Sequence, residues 1–242
     1  MTTADPPVPA PARTDLVLEL CGLPGSGKTS VAQAALPLFL ESGHACEVVD
    51  QRVSAAVPRP RRVLRKAAMI AAVIAGDPRG AVGTTRVLGP GQPGLRDRLA
   101  VPAQWWVAER LVLQARQRGG LALVEEGLVQ ALWTAGLRST GLTPSALVSL
   151  AGRMRRADLV VHLDIPAELA LERLRARPSR HSRVQRMTPS DQAAAMRHGD
   201  ALLRELLAEW TRQRLGEVVT VTSATALRAV ALDRLSSARR AP

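Results

Sequence analysis

The sequence predicts an α/β protein built on a parallel sheet, and three observations carry that reading. Short apolar runs with strand character alternate with helical stretches along most of the chain, the pattern of right-handed parallel crossovers. The run Leu16-Val-Leu-Glu-Leu-Cys21 leads straight into Gly22-Leu-Pro-Gly25-Ser-Gly27-Lys28-Thr29, and a helical stretch from Ser30 to Leu40 follows. That glycine-rich stretch matches G-x-x-x-x-G-K-[ST], the phosphate-binding P-loop, in the strand–turn–helix setting the motif requires. Finally, Asp50, Glu125, Asp164 and Ser223 each follow a predicted strand, at the carboxyl ends where open α/β sheets place ligands.

The elements are justified in chain order. Residues 1–13 are rich in Pro and Ala and read as a disordered leader, so one domain is expected over 14–242. The helix after the P-loop stops near Ser42-Gly43, with Gly as the C-terminal stop. Ala45 to Val49 is a second strand, closed by Asp50-Gln51-Arg52. Residues 53–118 form an insertion: a basic stretch from Arg59 to Lys66, a helix through Ile74, a Gly/Pro-rich loop from Gly76 to Gly94, and a helix from Trp105 to Arg118 ended by Gly119-Gly120. Leu121 to Val124 is a third strand with Glu125-Glu126-Gly127 at its end, and Asp158 to Leu163 is a fourth. A helix begins near Pro166, which suits a first-turn position. Arg173 to Met187 is Arg-dense without an apolar face and reads as a loop. Thr188-Pro189-Ser190-Asp191 is a helix start, with Thr as cap, Pro at N1 and an acid at N3. Leu203, Leu206, Leu207 and Trp210 continue that helix on one face; Val218 to Val221 is a fifth strand, and a last helix runs from about Ala224.

Composition narrows the chemistry. Hydrophobic residues make up 46% of the chain, enough for a packed core, but aromatics only 2%, so that core must be Leu, Val and Ala. The formal charge is +12, which fits nucleotides, other phosphorylated partners or nucleic acid. The arginines are spread along the chain and no aromatic stacking signature accompanies them, which favours small anions. Cys21 and Cys46 are isolated and read as buried thiols of a reducing cytosol; nothing suggests a zinc site. The N-terminus has no apolar run, and the longest apolar stretch, Ala67 to Ala75, is too short to span a bilayer. A cytoplasmic enzyme is the expectation.

The P-loop itself is specific. Given the chain's own residue frequencies, a chance match anywhere in it is expected on the order of 0.001 times. The chain has 33 Lys+Arg but its only lysines are Lys28 and Lys66, and one of them occupies the P-loop position, where a compact ammonium is needed. Glycines let successive N–H groups converge on an anion, and the helix start adds partial positive charge. Lys28 then reaches the β- and γ-phosphates, and the Thr29 hydroxyl is a Mg²⁺ ligand.

With these motifs in view, the chain resembles the P-loop kinases of the nucleoside-monophosphate and thymidylate kinase type. The words that carry the likeness are Leu18 to Thr29, Leu123-Val-Glu-Glu-Gly127, and Ala157 to Pro166 followed by Glu172-Arg-Leu-Arg-Ala-Arg177. The resemblance implies a three-layer α/β/α sandwich, a five-stranded parallel sheet of order 2-3-1-4-5, and a helical lid over 173–188. It implies ATP and Mg²⁺ as cofactors and a small-molecule phosphate acceptor. The nucleotide-binding set is then Gly22, Gly25, Ser26, Gly27, Lys28, Thr29, Ser30, Arg173, Arg177 and Ser223. Arg173 corresponds to the arginine that lies against adenine, and Arg177 to one that clamps phosphate. Arg180 and Arg183 fall where further lid arginines neutralise charge, or form a solvated basic face. Glu125 holds Mg²⁺ through water, with Glu126 as its rival, because the strand register is open.

The acceptor region departs from the family pattern, with no Asp-Arg-Tyr-like motif in 53–118. Asp50 is a substrate-binding or base carboxylate, or the cap of a turn. Arg96 and Arg98 bind an acceptor phosphate or mark a charged helix start. Trp105 and Trp106 are adjacent and cannot share a helix face, so at most one lines a pocket. His162 sits inside a strand and reads as a core histidine. The leading reading is transfer of the γ-phosphoryl group to a nucleotide, nucleoside, sugar or specialised metabolite. The alternatives are an ATPase or nucleotide-binding regulator acting on a macromolecule such as nucleic acid, and a degenerate kinase without turnover.

Overall fold

A computed structural model describes residues 15–49, 58–137, 139–177, 182 and 184–240. The leader 1–13, Asp50, Arg180 and Arg183 lie outside the described residues. Five strands, β1 (Leu16–Cys21), β2 (Cys46–Val48), β3 (Leu121–Val124), β4 (Leu159–Leu163) and β5 (Glu217–Val221), form one sheet of order β2-β3-β1-β4-β5. Every pairing is parallel, and β1 lies at the centre, with Glu19 in register with Val124 on one side and Val160 on the other. The helices are α1 (Lys28–Glu41), α2 (Arg59–Gly76), α3 (Pro78–Leu88), α4 (Leu95–Arg118), α5 (Leu128–Gly136), α6 (Pro144–Ala151), α7 (Ala167–Ala176), α8 (Pro189–Arg212) and α9 (Ala224–Arg240).

The three layers follow from β1 alone. Successive strand residues point to opposite faces, and both faces of β1 are buried along its whole length. Leu16, Leu18 and Leu20 pack with Ala32, Ala35 and Phe39 of α1 and Leu227, Ala231 and Leu235 of α9. Val17 packs on the opposite face with Val107, Leu111 and Ala115 of α4. Cys21 joins the large cluster built from α4, α5, α7 and α8. A strand covered on both sides is apolar without alternation, and β1, β3 and β4 follow this except at Glu19 and His162. No helix among the described residues is long and apolar enough to cross a membrane.

Several elements differ from the sequence reading, each for a local reason. The stretch Gly76 to Gly94, read as a loop, contains α3. Asp77 caps it, accepting a hydrogen bond from the Gly80 backbone N–H at 2.8 Å, and Pro78 fills N1. Ala81, Thr84 and Leu88 then bury one face at helical spacing. The helix expected from Trp105 begins ten residues earlier at Leu95, because Pro102 is accommodated inside α4. Residues 128–157 received no element, yet hold α5 and α6, the latter capped by Thr143 with Pro144 at N1. The predicted loop from Arg173 to Met187 begins inside α7, whose last turn carries Arg173 and Arg175. The predicted start of α8 is met: Thr188 caps it and accepts from the Asp191 N–H.

Candidate active site

The first strand delivers the chain into a turn that requires glycine. Gly25 has φ +91°, and a Cβ there would fall 2.1 Å from the Ala170 carbonyl oxygen, so loop and α7 touch main chain to main chain. Gly27, at φ +93°, is the residue before α1, and the helix opens with the Val31 N–H bonding the Gly27 carbonyl at 2.8 Å. The Ser26 hydroxyl is buried here without a hydrogen-bond partner among the described residues. Lys28 folds over the loop, its Nζ donating to the carbonyls of Gly22 at 2.6 Å and Leu23 at 3.1 Å. Burial pulls its pKa down to about 8, while the carboxylates, Glu126 foremost, resist that pull.

β3 runs beside β1 and ends at the acidic pair. The Thr29 hydroxyl donates to Glu125 Oε2 at 2.7 Å. Glu125 is only 8% exposed, and its second oxygen, Oε1, has no partner among the described residues. Burial raises its pKa, against the opposing Thr29 hydrogen bond. Glu126 is exposed. Of the adjacent acids, Glu125 is the one that bonds Thr29, while Glu126 lines the same cleft from an exposed position.

Behind this pair lies a carboxyl group in the middle of the central strand. Glu19 is fully buried, and its Oε1 accepts from the N–H groups of Val129 at 2.6 Å and Gln130 at 3.3 Å. It thereby caps the start of α5. A Cβ on Gly127 would lie 2.3 Å from Glu19 Cδ, so glycine is required at that turn for the carboxyl to reach the helix. Burial pushes Glu19 up to about 7.

Two clefts flank the loop. One, of about 460 Å³, is walled by Lys28, Thr29, Glu125, Glu126 and Arg177 together with Gln104 of α4, Gln130 and Trp133 of α5, and His198 of α8. The other, of about 600 Å³, is walled by Gly25, Ser26, Gly27, Ser30, Arg173, Arg177, Val221 and Thr222. Gly25, Gly27 and Arg177 line both, so Arg177 stands at their junction. Another cleft, of about 750 Å³ between α2, α3, α4 and α6, is lined by none of the loop residues.

Other expected site residues are placed differently. Trp105 is 1% exposed and packs in the core, so its neighbour Gln104 faces the cleft instead. Trp106 lines the distant large cleft. Arg96 and Arg98 are exposed on the first turn of α4 and line neither loop cleft. The Ser223 hydroxyl accepts from the Ala226 N–H at 3.1 Å and so caps α9, while Thr222 lines the cleft. The Asp164 carboxylate pairs with Arg204 at 2.7 Å. His162 is buried in β4. Gln130, Trp133, Thr134 and Leu137 were missed, although their spacing puts them on one face of the helix after Gly127.

No protein-family model and no curated protein matches the chain. Among solved structures, a deoxyadenosine kinase from M. mycoides, with its products dCMP and a flexible dCDP bound, is similar over 92% of this chain and 100% of its own, at 10% identity and a TM-score of 0.47. A likeness at that level carries no argument about activity, and the fold stands on the strand order itself.

Proposed function

We propose that this chain is an ATP- and Mg²⁺-dependent phosphotransferase of the cytoplasm, of the P-loop kinase type, which moves a γ-phosphoryl group to a small acceptor: a nucleotide, nucleoside, sugar or specialised metabolite. The observation that carries the reading is the 2.7 Å hydrogen bond from Thr29 to Glu125 beside Lys28 at the mouth of the glycine turn. It joins a P-loop hydroxyl to an acid from the neighbouring strand, the pairing that P-loop enzymes use around Mg²⁺. The residues fit that ion. Mg²⁺ keeps several waters and needs few protein ligands when phosphates supply the rest. Among the described residues no group of three or more His, Cys, Asp and Glu gathers to hold a metal unaided. The unpartnered Glu125 Oε1 is the atom that would orient a Mg²⁺-bound water. Bound there, the ion supplies charge neutralisation at the phosphates.

The donor nucleoside then lies in the cleft of Arg173 and Thr222, and the acceptor in the cleft of Gln104, Gln130 and Trp133. Arg177, shared by both, faces the group in transit. Asp50 remains a second candidate for the acceptor site, and 173–188 is assigned the role of lid. The net charge of +12 is the feature that favours the rival reading, a nucleic-acid-dependent ATPase. Arg116, Arg118 and Arg204 pair with Asp158, Glu47, and Asp164 and Asp200, and Arg156 bonds backbone carbonyls, so these arginines are structural, while the excess of +12 stands after every acid is counted.

The test is a phosphate-transfer screen with purified protein, Mg·ATP and panels of nucleotides, nucleosides and metabolites, read by mass spectrometry. A compound gaining one phosphate supports the kinase; ADP release stimulated only by nucleic acid supports the rival. Lys28→Ala should abolish nucleotide binding measured by calorimetry while the unfolding transition is retained. Unchanged affinity in that folded variant would defeat the reading.

A further inference from the structure

We propose that Glu126 is a catalytic residue, the carboxylate that receives the proton of the incoming hydroxyl. The inference rests on the phosphotransferase reading above. A third cleft, of about 330 Å³, opens between α2 and α4 and is walled by Lys66, Ile70, Ala103, Val107 and Leu111 with Gln104 and Glu126. It meets the cleft of Lys28 and Thr29 at two residues, Gln104 and Glu126, which line both. Glu126 therefore stands where the cleft beside α2 meets the cleft of Lys28 and Thr29. Its neighbour Glu125 is buried and committed to Thr29, whereas Glu126 is exposed. Adjacent acids in different surroundings can thus carry different tasks. Glu126 and the P-loop lysine Lys28 line the same cleft.

The step balances without another reagent. The acceptor O–H bond breaks and its proton passes to the Glu126 carboxylate. The oxygen forms a bond to the γ-phosphorus, the bond from that phosphorus to the β,γ-bridging oxygen breaks, and ADP leaves with that electron pair. Glu126 returns its proton to solvent on product release. Water entering the same place follows the same course, so ADP release from Mg·ATP without an added acceptor reads the step directly.

The full chain is assayed this way, with nucleotide affinity followed separately by a fluorescent ATP analogue. Glu126→Gln should lower kcat for ADP release about 100-fold, in the range for general base catalysis, with the ATP KM and analogue affinity within about twofold of wild type. Glu126→Asp should recover part of the rate. A wild-type kcat in Glu126→Gln overturns the proposal, as does a loss of affinity that matches the loss of rate. A rate that falls in Asp50→Asn and holds in Glu126→Gln moves the base to Asp50 and leaves the phosphotransferase standing. A wild-type chain that binds nucleotide yet releases no ADP also counts against Glu126. One that binds no nucleotide at all defeats the phosphotransferase reading instead, before any variant is made.

Discussion

The two sides of the loop cleft are made of different materials. On the glycine side, the wall is main chain: positive-φ turns, the Gly22 and Leu23 carbonyls under Lys28, and the first N–H groups of α1. On the helix side, the wall is side chains sent from α4, α5 and α8: Gln104, Gln130, Trp133 and His198. A wall of backbone is fixed by local conformation, so altering it disturbs folding and binding together. A wall of side chains is held by a core behind it, so its tips change without moving the frame.

The largest effect expected from this contrast is at Gly25. Gly25→Ala places a methyl 2.1 Å from the Ala170 carbonyl at φ +91°. Backbone strain and overpacking together should cost about 4 kcal/mol. Urea unfolding should show that loss, and calorimetry a parallel loss of ATP affinity. A Gly25→Ala protein with wild-type stability would break the comparison.

Next comes Glu19, which joins the two sides from beneath. Its folded pKa of about 7 lies above the ordinary 4.5. Below that window the carboxyl is protonated in both states. As pH rises through it, the unfolded chain ionises first while the folded chain holds its proton. Stability therefore falls with rising pH, by about 3 kcal/mol in all. Glu19→Gln keeps an oxygen for the Val129 and Gln130 N–H groups but has no proton to lose. Its urea midpoint should gain on wild type between pH 5 and pH 8; parallel pH profiles would refute this.

The smallest effect is expected on the side-chain wall. Gln130→Leu should raise the acceptor KM about tenfold, about 1.4 kcal/mol, leaving ATP affinity and unfolding unchanged. An equal loss of ATP affinity would show that the two sides are not separable.

The same contrast explains what was legible in the sequence. Gly22 to Thr29 is readable because a main-chain site is written in one short stretch, with glycine at the positive-φ positions 22, 25 and 27. The strands were readable because β1, β3 and β4 are buried on both faces and so are apolar runs, broken only by Glu19 and His162. The helix-side wall was not, because Gln104, Gln130 and His198 are far apart in sequence and meet only through packing. Trp105 misled for a related reason: helix phase, not residue type, decides that it turns inward while Gln104 faces the cleft. Gln130 was lost with α5 as a whole, whose start depends on Glu19 from a distant strand. A cap supplied from so far away leaves no trace next to the helix it starts.

The seating of Gly25 against Ala170 has a mechanical result. The same contact places a Gly25 Cβ 3.2 Å from Leu174, so the turn of α7 from Ala170 to Leu174 is wedged against the loop that would grip a polyphosphate tail. That turn cannot swing without prising the loop open. Arg173, inside that wedged turn, is therefore held with the loop, whereas Arg177 lies past the end of α7 and outside the wedge.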